Sequence, residues 1–279
     1  MERYFEKITK CMMGTRLQVD DETYTAVEGL RAVYAIVEGN EKVIVDGACA
    51  FQFEGEMFGG QFGVKVCEMN HTNRLSMNRH FRYTAPQVFN QNFNTVTVED
   101  NIYKSCQAAA NFEKKYRPAV FIHQKQLKDK NELSVCLDKI SWSVFKNGNK
   151  EGYAVVLDGV KNIENVNTAL ENGISAIAVE CSSIWKEKET TAVKHKFICF
   201  TDEIYKLIRG TWEQTDILLD CSCGKELLIP EEFDWMLNRL KTLNTAVTGV
   251  KLCIDKMENL QEYSEIAEHW GYKLSFYMV

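Results

Sequence analysis

From Pro118 onward the sequence alternates short apolar runs with amphipathic helical patterns, and few folds accommodate that order. The runs are Ala119–Ile122, Tyr153–Leu157, Ile174–Val179, Lys196–Phe200, Asp216–Leu219, Val250–Ile254 and Leu274–Met278. Each has the length of one strand, as expected of strands covered on both faces. Between most of them apolar residues recur with the helical period, as at Leu133, Leu137, Ile140 and Val144, or at Phe233, Met236, Leu237 and Leu240. Pro230 with Glu231 and Glu232 suits a helix start, and Gly173 and Gly271 suit C-terminal caps just ahead of strands. The pattern predicts an α/β fold with a C-terminal, mostly parallel sheet and covering helices, either doubly wound or barrel-like. One connection, residues 181–195, lacks a helical stripe.

The first part of the chain is of another kind. Tyr4, Phe5, Ile8 and Met12 predict a short opening helix. Arg31–Val37, Lys42–Val45, Ala48–Phe53 and Phe62–Cys67 then read as strands separated by turn signals at Glu38-Gly-Asn, Asp46-Gly and the glycines of 55–63, which predicts a β-rich antiparallel region. Residues 70–95 show no sustained period and read as a long loop with at most one short helical turn. A helix over 100–116 carries Ile102, Cys106, Ala109, Ala110 and Tyr116 toward a core and ends at Pro118. The division expected is 1–117 for the β-rich region and 118–279 for the α/β domain.

Composition narrows the function classes. With 45% hydrophobic and 26% charged residues the chain is an ordinary globular protein, and a net charge of −6 argues against a nucleic-acid partner, which needs a basic field. No apolar run reaches the roughly 20 residues of a membrane span. The N-terminal MERYFEKITK lacks the apolar stretch of a signal peptide, so the ten cysteines read as reduced and the location as cytoplasmic.

Acidic residues follow the strand-like runs with some regularity: Asp158, Glu180, Asp202, Asp220 and Asp255. A parallel sheet places strand ends on one carboxyl edge, where α/β ligand sites form. Asp158, Asp220 and Asp255 are therefore the candidate catalytic residues. Carboxylates brought together need a cation or a shared proton, so the same three are candidate ligands for Mg²⁺ or Mn²⁺. Adjacent parallel strands lie about 4.8 Å apart, so carboxylates on neighbouring strands can share one ion while those three strands away cannot. The competing reading is that these acids merely cap helices or end strands in solvent.

Cys181, Cys221 and Cys223 sit near the same edge, with Cys199 and Cys253 inside runs, but none has a metal-ligand partner at a diagnostic spacing. The segment His71–Arg82 is basic in an acidic chain, and Arg74, Arg79, Arg82 and His80 are candidate anion-binding residues. The competing reading is a plain solvated or interface loop, and the segment could also pair with an acidic surface on another subunit of a homo-oligomer. The glycines of 55–63 have no Lys-Ser/Thr after them and fit a hairpin or bulge rather than a phosphate loop. His123 and His195 have no assignable Ser or Cys partner.

Residues 155–167 with Glu171–Ile177 resemble the opening of a SPOUT-type RNA methyltransferase domain, with Asn167 and Glu171 where that family has glycine and arginine. Residues 215–279 resemble the βαβαβ order of small sulfurtransferase carriers, whose Cys-Pro is replaced by Ile229-Pro230. Each covers a minor part of the chain, and neither decides its function. Two readings follow. One is an enzyme that binds an anionic, phosphate- or carboxylate-bearing small molecule at the carboxyl edge, with the carboxylates serving either as ligands of a divalent metal or as acid/base groups. The alternative is a non-catalytic assembly or binding protein that makes its contacts through the β-rich half.

Overall fold

The computed structural model describes residues 14–58, 63–88, 94–96, 117–127, 130–161, 163–180, 191–210, 215–221, 229–254 and 259–278. The expected opening helix, the expected helix over 100–116, and Asp255, Cys181 and Cys223 lie outside them. The chain divides into two units, one of residues 1–85, 110–115 and 134–152, the other of 86–109, 116–133 and 153–279. The first unit thus takes a stretch from beyond Pro118.

In the first unit β1 (Leu17–Val27), β2 (Leu30–Val37), β3 (Asn40–Asp46), β4 (Gly55–Met57) and β5 (Val64–Glu68) form an antiparallel sheet in the order β1-β2-β3-β5-β4. The antiparallel expectation holds, with two local differences. Leu17–Val27 is a strand that reads as polar in the sequence. Ala48–Gln52 is a 3₁₀ turn rather than a strand. Gly47 starts that turn at φ 122°, where a Cβ would stand 2.4 Å from the Gly29 carbonyl oxygen, so the chain turns against the β1–β2 hairpin instead of extending.

The expected loop over 70–95 holds a helix, α1 (His71–His80). Its buried residues are Asn73, Arg74, Ser76 and Met77, so no apolar stripe announces it. The Asn70 side chain caps it by accepting from Asn73 N at 2.9 Å. Arg74 is 2% exposed and donates from Nε to Asp138 Oδ1 at 2.5 Å, while His71 Nδ1 meets the same carboxylate at 2.9 Å. Asp138 comes from α2 (Lys130–Lys146). Replacing Arg74 by Met strands that carboxylate, with an expected loss on the order of 3–5 kcal/mol measured by urea unfolding. A loss under about 1 kcal/mol, the range of an exposed pair, would contradict the buried ion pair.

The second unit is built on β6 (Asn94–Val96), β7 (Pro118–His123), β8 (Ala154–Val160), β9 (Ala176–Glu180), β10 (Asp216–Asp220), β11 (Gly249–Ile254) and β12 (Lys273–Met278). They pair in parallel throughout, in the order β12-β11-β10-β9-β8-β7-β6. The sheet curls like a barrel, and its end strands β12 and β6 come into contact. This chooses the barrel-like arrangement over the open one. Outside the strands lie α3 (Glu164–Glu171), α4 (Thr191–Arg209), α5 (Pro230–Thr242) and α6 (Leu260–Trp270). Pro230 opens α5, and Gly271 closes α6 in the left-handed conformation at φ 76°.

Lys196–Phe200, expected as a strand, belongs to α4. Phe197, Thr201, Ile204 and Ile208 are its buried residues, and their helical spacing overrides the local β propensity of the aromatic and β-branched run. Asp202 is therefore on a helix and not at a strand end. Cys199 is exposed on that helix, 3.5 Å from His195 Nδ1, whereas Cys67, Cys136 and Cys221 are buried. Burial pushes the Cys67 thiol up to about 12. In the native protein a disulfide reagent is expected to label Cys199 ahead of Cys67, and Cys67 only on unfolding, read by peptide mass spectrometry. Equal labelling rates would contradict this. Among the described residues no helix is long and apolar enough to cross a membrane.

Candidate active site

The two faces of the parallel sheet differ chemically. On the outer face stand Val120 and Ile122, Val155 and Leu157, Ile177 and Val179, Ile217 and Leu219, Val250 and Leu252, all buried. On the inner face Ala119, Phe121, Ala154, Val156, Ala176, Ala178 and Leu218 pack as one cluster. The small alanines keep the concave side from filling. Continuing the same two-residue alternation toward the carboxyl ends gives His123, Asp158, Glu180 and Asp220, and on β11 Lys251.

Lys251 organises this edge. It is 5% exposed, donates from Nζ to Asp158 Oδ2 at 2.6 Å and reaches Asp220 Oδ2 at 3.3 Å. Its ammonium also lies 5.4 Å from the centre of the Phe121 ring, in reach of a cation–π attraction. Asp158 on β8 and Lys251 on β11 are three strands apart, about 14 Å in a flat sheet. The curl of the sheet and the long lysine stem close that distance. Asp220 stands beside Lys251 in register on β10 and opposite Glu180 on β9. Glu180 pairs with Lys161 at 3.0 Å, nearer solvent.

The group carries one cation and two carboxylates in a nearly dry place. Asp158 is 6% exposed, and its second oxygen, Oδ1, is buried without a hydrogen-bond partner among the described residues. A buried carboxylate oxygen left unpaired costs about 1–3 kcal/mol or more, so Oδ1 calls for a partner such as a water, an ion or a ligand. Asp158 and Asp220, two of the acids singled out in the sequence, thus meet on a single cation, and that cation is a lysine. Among the described residues no three His, Cys, Asp or Glu side chains gather as a metal site.

The basic segment is placed differently. Arg74 is held by Asp138, and His80 Nε2 bonds Gln52 Oε1 at 2.9 Å while its ring stacks on Phe53. Arg79 and Arg82 are exposed. All four belong to the first unit, where Arg74 and His80 already have side-chain partners.

Sequence reasoning passed over Lys251 and named His123 only as a histidine without a Ser or Cys partner. The signal of the lysine was present: a lysine inside a strand buried on both faces must find opposite charge or leave the core. The run Val250–Ile254 was read by its apolar neighbours instead.

A curled parallel sheet with small residues inside and charged side chains gathered at its carboxyl edge is the layout of the barrel enzymes. The family described as UxaE, tagaturonate epimerase, matches residues 18–227, and the chain belongs to it. His123, Asp158, Glu180 and Asp220 fall within the matched stretch, and Lys251 lies beyond it. Among solved structures the chain is similar to the fructuronate-tagaturonate epimerase UxaE from Cohnella laeviribosi. The glycerol-bound crystal structure superposes with a TM-score of 0.72 at 18% identity, covering 99% of this chain and 70% of that one. The native crystal structure gives 0.71 at 20% identity with the same coverage. These likenesses show the fold. Nothing matches among the curated proteins.

Proposed function

We propose that the protein is a sugar-acid epimerase acting on a keto sugar acid of the tagaturonate and fructuronate type, at the carboxyl edge around Lys251, Asp158 and Asp220. The observation that carries the reading is the buried Lys251 held between two carboxylates, one of which keeps an unpaired oxygen turned to the same dry edge. Family membership supplies the substrate class.

Inverting one carbon of a keto sugar acid requires that a bond to that carbon break and re-form on the other face. Tagaturonate and fructuronate differ at the carbon β to the ketone, so the bond that breaks is the C–C bond between the α and β carbons. The β-hydroxyl gives up its proton, the electron pair of the bond passes onto the keto oxygen as an enolate, and the aldehyde formed turns its other face before the bond re-forms. Two groups are then needed: a positive charge or donor at that oxygen, and a base that takes a proton and returns it. Lys251 supplies the first. Asp158 Oδ1 supplies the second, receiving the proton as the bond breaks and giving it back after the face has changed. Asp220 keeps Lys251 charged while Asp158 is protonated, so the site never loses its cation.

The test is direct. Purified protein incubated with tagaturonate and followed by ¹³C NMR is expected to build up fructuronate toward equilibrium. A protein that is folded, and that leaves tagaturonate and fructuronate unchanged with and without added Mg²⁺ or Mn²⁺, sinks the proposal.

A further inference from the structure

The register along β8 and β9 breaks once. Leu157 pairs with Ile177, but the next matched pair is Val160 with Val179, so Asp158 and Gly159 together oppose one residue. Such a bulge puts two successive residues on the same face, here the inner one, and re-aims the side chain beside it. Gly159 has φ +70°, a conformation that favours glycine. More telling is what fills the space of its missing side chain. A Cβ at Gly159 would lie 2.6 Å from both Cε1 and Nε2 of His123. The Cε1–Nε2 edge of that ring therefore rests on the glycine, and His123 is the register partner of Asp158.

The ring is also fixed from its other side. Lys125 N donates to His123 Nδ1 at 3.1 Å, so Nδ1 is the acceptor nitrogen and the proton of the neutral ring is on Nε2. Nε2 has no hydrogen-bond partner among the described residues. The bulge thus sets side by side a donor without an acceptor, His123 Nε2–H, and an acceptor without a donor, Asp158 Oδ1. The hydrogen bond caps the short turn Gln124–Gln126, and the glycine leaves room for the ring of this half-buried histidine.

We infer that His123 is a substrate-touching residue of this site, locked as the Nε2–H form against Gly159, and that it donates to the keto oxygen of the bound sugar acid beside the hydroxyl that Asp158 Oδ1 accepts. The inference rests on the functional reading above and sharpens its specificity. The pair recognises a β-hydroxy ketone, with the donor at the keto oxygen and the acceptor at the hydroxyl whose proton is taken. An analogue with the ketone reduced to an alcohol loses the developing charge that His123 answers. His123 moves no proton itself; it steadies the oxygen with Lys251 while Asp158 carries the proton. Gly159 is a positioning residue that acts through His123.

The test uses protein labelled with ¹⁵N-histidine, in which long-range proton–nitrogen spectra identify the protonated nitrogen of each ring. The chain has five histidines, so His123 is assigned by the signal that His123→Gln removes. The expected result is an acceptor-type Nδ1 and an Nε2 signal that moves when tagaturonate is added. In turnover, His123→Phe is expected to lose kcat by roughly 10²-fold with little change in KM. His123→Gln keeps an N–H near the Nε2 position and regains part of that loss. Gly159→Ala drives a methyl group into the ring and is expected to match His123→Phe, with no further loss when the two are combined. Should Gly159→Ala fail to fold, the spectrum and the two His123 variants decide. A protonated Nδ1, an Nε2 signal unmoved by tagaturonate in a protein that epimerises it, or a His123→Phe enzyme with unchanged kcat each overturns the inference and leaves the functional reading standing. A wild-type protein that neither binds nor converts tagaturonate overturns both.

Discussion

Lys251→Met is expected to cost the folded state on the order of 3–5 kcal/mol and the reaction at least about 10²–10³-fold in kcat. Both effects have one cause. The ammonium is 2.6 Å from Asp158 and 3.3 Å from Asp220, and methionine has the volume to replace the stem but no charge to replace the head. Two carboxylates would then share a nearly dry edge without a cation, where repulsion and lost solvation act together. Urea unfolding reads the stability, and turnover per folded molecule reads the chemistry. Lys251→Arg separates them, because it keeps the charge but not the position of the single ammonium. Its stability is expected to recover more than its rate. Wild-type stability for Lys251→Met would mean that the buried cluster is not formed as described.

Asp158→Asn is expected to show the reverse profile. The amide oxygen still accepts from Lys251, one of two neighbouring negative charges is gone, and stability should change by no more than about 1 kcal/mol. The proton carrier, however, is lost, and kcat should fall by roughly 10²–10⁴-fold. A stable, well-folded and nearly inactive Asp158→Asn protein separates a working carboxylate from one that merely balances charge. The two substitutions touch each other directly, so the double variant should be less impaired in rate than the product of the single losses. An Asp158→Asn enzyme with wild-type kcat would remove Asp158 from the chemistry.

How far the sequence reaches is visible strand by strand. The parallel half is legible because its outer face is a continuous aliphatic layer and its helices carry apolar stripes, two signals that survive without any tertiary knowledge. Asp158 and Asp220 are legible because a carboxylate directly after an apolar run has only the sheet edge to occupy. What hides the rest is a second, weaker pattern inside the same runs. Ala119, Phe121 and His123 alternate with Val120 and Ile122, and Gly249 and Lys251 alternate with Val250 and Leu252; the inner face is small and polar, the outer large and aliphatic. Read only as apolar runs, they conceal the lysine and the histidine.

Curvature was the other hidden quantity. Spacing in a flat sheet forbids a contact between β8 and β11, and only the closed shape brings Asp158 to Lys251. Two misread segments have physical causes too. The helix Thr191–Arg209 carries a strand-like stretch, Phe197–Phe200, whose burial nonetheless follows the helical period. The helix His71–His80 buries Asn73 and Arg74, so its inward face is polar and gives no periodic apolar signal.

The central claim is that a keto sugar acid reacts where Lys251, Asp158 and His123 meet. A crystal structure of Asp158→Asn protein soaked with tagaturonate tests it most directly, since the substrate should bind and remain unconverted. The expected density places the keto oxygen within hydrogen-bond distance, about 3 Å, of both Lys251 Nζ and His123 Nε2. Substrate bound elsewhere in a catalytically competent crystal, with Lys251 still sealed between its carboxylates, would contradict the account.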